Sequence, residues 1–147
     1  MIKQISKTAF ISLGVGFLVE LLSSWLSSSF LQKFFESNLV TILVALLAIN
    51  AATMGIVLTK IRELIDKRGG AQFFESTKKN MLLSVKEQIG LIVLATTVLS
   101  VNSSPLVANV QNLSLFLDSL ITGIFVYALL VLYDTAKGVL IIVDFEG

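Results

Sequence analysis

The sequence predicts an all-α polytopic membrane protein: four transmembrane helices, with a cytoplasmic helical hairpin extension between spans two and three. Three observations carry that prediction. The chain of 147 residues is 55% hydrophobic and 14% charged, whereas a soluble domain covers its surface with far more Lys, Glu, Arg and Asp. Four apolar runs are each long enough, at about 20 residues, to cross roughly 30 Å of hydrocarbon. Basic residues gather in alternate connections, as the orientation rule for membrane helices requires. Four buried helices of a soluble bundle would each need a polar face, and the runs lack one.

The first run, residues 9–31, contains "GVGFLVELLSSWLSSSF" and places Glu20 inside its apolar sequence. Ser12, Gly16, Glu20, Ser23 and Ser27 follow one another at offsets of four, four, three and four, which makes a continuous polar or small stripe on a helix. A carboxylate facing lipid near the bilayer centre costs about 3 kcal/mol. The stripe therefore faces protein or water. No basic residue lies at comparable depth in any run, so two readings stand for Glu20. It is a neutral carboxyl in a packed interface, or a carboxylate lining a hydrated path that favours cations. The run follows Lys3 and Lys7 and ends in small residues, yet it is expected to be retained rather than cleaved as a signal peptide.

The second run, residues 38–59, has no charge between Glu36 and Lys60. Thr41, Ala45, Ala48, Ala52, Gly55 and Thr59 recur at offsets of three and four, and small residues at this spacing let helix backbones approach closely. Packing in a homo-oligomer is the expectation. Asn50 lies on nearly the opposite face, at mid-membrane, where an amide needs partners. It is either interhelical glue or pore lining.

Residues 60–87 form the hairpin. "KIRELIDKRGG" continues the second helix, with Arg62 to Asp66 and Glu63 to Lys67 at i,i+4 spacing, and Gly69-Gly70 breaks it. "AQFFESTKKNMLLSVKEQ" then sets Phe74, Thr77, Met81 and Val85 on one helical stripe, with Lys78, Lys79 and Lys86 elsewhere. Lys67, Arg68, Lys78 and Lys79 are the candidate contacts. They meet either the anionic headgroups of membrane lipid, or a cytoplasmic protein partner or neighbouring subunit.

The third run, residues 88–110, carries Thr96, Thr97, Ser100 and Asn102 toward its outer side, and "SVNSSP" at 100–105 reads as a helix end and turn. The fourth covers 113–133. Asp118 sits near its outer end with Thr122 one turn deeper. It pairs with Lys33, the one cation on that side, or forms part of an acidic entrance, or meets headgroup water.

The segment between runs two and three holds Lys60, Arg62, Lys67, Arg68, Lys78, Lys79 and Lys86; Lys3 and Lys7 precede the first run, and Lys137 follows the last. The opposite connections hold Lys33 alone. Both termini and the hairpin are therefore expected in the cytoplasm, in a multi-pass protein of the inner (plasma) membrane.

Composition removes whole classes of chemistry. With no Cys and no His, disulfides, thiolate nucleophiles, and the commonest general base and metal ligand are absent. A net charge of +1 gives no case for nucleic acid. No nucleophile–base set, phosphate loop or metal spacing occurs, so no enzyme activity, metal or cofactor is expected.

Four spans, short outer loops and "AINAATMGIVLTKIRELIDKRGG" leading into a basic hairpin resemble small membrane proteins of bacterial anti-phage systems, namely RexB-like ion-channel proteins and the membrane subunit of the Kiwa system. The resemblance implies an inner-membrane oligomer that depolarises the cell or anchors a cytoplasmic effector. The expected function is thus an ion-permeable or membrane-perturbing homo-oligomer acting in antiviral defence. The alternative is a non-conducting scaffold that recruits a cytoplasmic partner through the basic hairpin.

Overall fold

The computed structural model describes residues 2–68, 74–105 and 111–144, with side chains placed for 5–66, 74–105 and 113–140. Among the described residues the chain is all helical: α1 (Ile2–Trp25), α2 (Phe30–Arg68), α3 (Glu75–Asn102) and α4 (Gln111–Asp144). Each is long and apolar enough to cross a membrane. The helices run alternately up and down. One end, the basic end, carries the starts of α1 and α3 and the ends of α2 and α4; the α1–α2 turn lies opposite.

The first helix ends earlier than the apolar run that predicts it. It stops at Trp25, because Ser27 adopts a left-handed backbone (φ 51°). The Ser28 N–H returns to the Ser23 carbonyl at 2.9 Å and the Ser27 N–H to Ser24 at 3.1 Å, the paired bonds of a Schellman ending. Ser28 Oγ then accepts from the Phe30 N–H at 3.4 Å and helps start α2. The serine-rich stretch is punctuation between two helices. Likewise α3 ends at Asn102, where Ser103 and Ser104 close the last turn on Leu99 and Val101, so the third run stops short of 110 at the turn that "SVNSSP" predicts.

With 39 residues, α2 is about 58 Å long at 1.5 Å per residue, twice the thickness of bilayer hydrocarbon. The end of α2 therefore runs on beyond the length that hydrocarbon needs, alongside the start of α3. Val57, Ile61 and Leu64 of α2 pack there against Phe74 and Met81, with Val139 of α4 alongside. Gly69-Gly70 and the side chains of Lys3, Lys67 and Arg68 lie outside the described residues.

Buried positions on α2 (Leu39, Leu43, Asn50, Val57, Ile61, Leu64) and on α3 (Met81, Gln88, Leu91, Ala95, Val98) recur at three, four or seven residues. That is the seam of a coiled coil. The central helix is α4: 56% of its apolar window is buried, against 17 to 22% in the other three. It packs on all of them, whereas α1 docks chiefly on α4.

Candidate functional site

Two polar clusters interrupt the apolar bundle. The first lies opposite the basic end. Ser12, Gly16, Glu20 and Ser23 are all inward-facing, as their spacing predicts, while Phe17, Leu18 and Leu22 between them, and Phe10 before them, are exposed. The stripe is occupied by α4. A Cβ built on Gly16 would stand 2.5 Å from the Ser119 carbonyl oxygen and 2.7 Å from the Gly123 nitrogen, so the two backbones are in near contact. Ser12 Oγ and Ser119 Oγ each donate to the carbonyl four residues earlier at 2.8 Å, which lets both hydroxyls sit in the interface without an unmet bond. Ser27 departs from expectation. It is exposed in the turn, because the left-handed residue ends the helical spacing that would have continued the stripe.

Glu20 and Asp118 are each 5% exposed and converge on one amide. Gln32 Nε2, two residues into α2, donates to Asp118 Oδ2 and, at 3.4 Å, to Glu20 Oε1. Asn102 Nδ2 at the end of α3 reaches Asp118 Oδ1 at 3.1 Å, and Ser114 Oγ reaches Oδ2 at 3.2 Å. All four helices meet at this cluster. Asp118 takes amide and hydroxyl donors rather than Lys33, which is exposed. Glu20 is five residues from the end of α1, about 7.5 Å, so it lies toward one end of the bundle and not at its middle.

The second cluster joins α2, α3 and α4. Asn50, fully buried, donates through Nδ2 to Gln88 Oε1 at 3.0 Å and to Ser84 Oγ at 3.2 Å. Thr135 Oγ1 meets Ser84 Oγ at 3.4 Å. Asn50 Oδ1 and Gln88 Nε2 are buried with no partner. The glue reading of Asn50 matches these contacts, but its depth differs from expectation. Gln88 and Thr135 adjoin Glu87 and Asp134, the charged residues that bound the uncharged stretches of α3 and α4 on the basic side, so the cluster lies toward that end. The offset between α2 and its neighbours, unreadable from one run alone, moves it there. Between the clusters the core is mainly apolar (Leu39, Leu43, Leu91, Ala95, Val98, Ile121, Ile124 and Ala128), with Thr122 buried among them.

The small-residue stripe of α2 faces away from the bundle. Ala45, Ala48, Ala52 and Gly55, with Thr41 and Thr59, are exposed, and a Cβ on Gly55 would meet nothing within 4 Å. It does not pack within the protomer. In the hairpin, Phe74 and Met81 are buried and Thr77 and Val85 half-buried, while Lys78 and Lys79 are exposed. The apolar stripe is spent on the protein's own helices. Lys60 and Glu63 form a surface ion pair at 3.1 Å; among the described residues Arg62 and Asp66 form none, and the expected Glu63–Lys67 pair involves a side chain outside them.

Sequence reasoning missed Gln32, Gln88, Ser84, Ser119, Gly123 and Thr135. The Ser119–Gly123 pair repeats the four-residue spacing of Ser12 and Gly16, a signal that could have matched α4 to α1. Gln32 and Gln88 stood outside or at the edge of an apolar run. Among known proteins, no family model, no curated protein and no solved structure matches the chain.

Proposed function

We propose that the protein is a non-conducting, self-associating scaffold of the bacterial inner membrane, of the kind that anchors a cytoplasmic effector in anti-phage systems. Both termini and the α2–α3 hairpin face the cytoplasm, on the side favoured by its basic residues. The observation that carries the reading is the hairpin itself. Its apolar stripe is buried among α2, α3 and Val139 of α4, which leaves a firmly packed extension with Lys78 and Lys79 on its free surface. A helix lying on headgroups would need that stripe for the lipid. Self-association is assigned to the outward small-residue face of α2.

A second reading, the ion-permeable assembly, draws on the acidic pair Glu20 and Asp118 at the opposite end. Against it stand the engagement of the Glu20 stripe by α4 and the apolar core separating the clusters. Purified protein in planar bilayers decides between them. The scaffold gives no current above lipid alone. A cation-selective current that Glu20→Gln weakens would overturn the scaffold and restore the ion path.

A further inference from the structure

A crevice of about 300 Å³ opens between α1, α3 and α4 at the basic end. Its walls include Thr8 of α1, Ser84 and Glu87 of α3, and Tyr127, Asp134 and Lys137 of α4. The volume is at the lower limit of small-molecule pockets, enough for a compact ligand. Tyr127 turns its hydroxyl toward Glu87, and Asp134 lies within the electrostatic reach of both. Among the described residues, no cation comes within ion-pair distance of either carboxylate, although Lys137 lines the same crevice. Aliphatic side chains (Ile5, Leu83, Val131) complete the lining. Behind the wall formed by Ser84 and Thr135, Asn50 Oδ1 and Gln88 Nε2 are buried without partners.

We propose that this crevice binds a small aliphatic primary amine, its ammonium held by Glu87 and Asp134 and its methylenes by the aliphatic lining. An ammonium presents three N–H donors, which suits two carboxylates flanked by hydroxyl oxygens. A metal ion is the poorer match, since no group of three acidic side chains assembles among the described residues. Held by Glu87 of α3 and Asp134 of α4, the bound amine joins those two helices, and Ile5 and Thr8 of α1 close one wall of the crevice. The inference requires the bundle as built and is independent of whether the assembly conducts. The ammonium has two sources, a soluble amine or the headgroup of an aminophospholipid.

The test is thermal unfolding of the full-length purified protein in detergent at fixed ionic strength, titrated with butylamine, its N-methylated series and butanol. The expected result is a saturable rise in Tm with butylamine, an apparent affinity falling about tenfold across methylation to the trimethylammonium, and no saturable effect of butanol. Glu87→Gln and Asp134→Asn should each abolish the saturable shift. The methylation series on the unmodified protein keeps the test decisive should either variant fail to fold. Repeating the titration in phosphatidylethanolamine and in phosphatidylcholine nanodiscs separates the sources: loss of the butylamine response only in the former assigns the site to the lipid headgroup, and its persistence in both assigns it to a soluble amine. A shift that does not saturate, or that is equal for butylamine and butyltrimethylammonium, overturns the proposal.

Discussion

Gly16 on α1 and Gly123 on α4 lie backbone to backbone: a methyl group on Gly16 would come within 2.9 Å of the Gly123 Cα. Two residues away on the same helix, Gly14 has nothing within 4 Å of its absent side chain. Substitution at the two positions should act with opposite sign. Gly16→Ala is expected to cost about 1–3 kcal/mol by forcing the helices apart, and Gly14→Ala to stabilise by up to about 1 kcal/mol through helix propensity. Unfolding in denaturing detergent measures both. Equal effects would mean that α1 does not dock through Gly16.

Asn50 and Gln88 should behave as a pair. Asn50→Leu leaves the Gln88 amide buried without its remaining bond and is expected to cost about 1–3 kcal/mol. Replacing both with Leu completes an apolar seam and should recover most of that loss. A double-mutant cycle with additive effects would reject the coupling.

Ser27 holds a left-handed conformation that favours glycine. Ser27→Gly should raise stability by about 1 kcal/mol, because a side chain is strained there. A lowered midpoint in the same unfolding assay would contradict the Schellman ending of α1.

Ala48→Leu combined with Ala52→Leu should shift the solubilised particle toward smaller species, read by light scattering on a sizing column. Both positions are exposed in the protomer, so the change tests contact between copies without disturbing the bundle. Unchanged particle size would show that this face meets lipid.

Orientation is checked by labelling. Gly70→Cys and Ser104→Cys, in a chain with no other cysteine, should react from opposite sides of the membrane. Reaction of both from outside intact cells would remove the four-span topology.

The sequence announced the four helices because run length and charge placement decide them. It announced the inward face of α1 for a related reason: Ser12, Gly16, Glu20 and Ser23 are costly in lipid, so they mark the protein side. On α2 the same logic pointed outward. Its buried face is largely Leu, Val and Ile, and Ile49 and Ile56 on the exposed side are equally apolar. In hydrocarbon surroundings a core leucine and a lipid-facing leucine look alike, so periodicity cannot separate them. The small residues were conspicuous and turned out to face away. Glu20's partner was hidden for another reason: Gln32 stands across a turn whose geometry depends on Ser27 in a left-handed conformation, which no apolar pattern reveals.

The docking of α1 on α4 has a consequence for how the protein is made. Chains emerge from the ribosome N-terminus first, at about 5–20 residues per second. The helix that covers the Glu20 stripe is the last of the four to appear. For a chain inserted as it is synthesised, α1 must wait in the bilayer with Gly16 and Glu20 unsheltered until Gly123 has left the exit tunnel, several seconds later. During that interval Gln32, at the head of α2, is the earliest-made neighbour able to satisfy the carboxyl. A premature stop before α4 would therefore leave Glu20 and Gly16 without the helix that covers them.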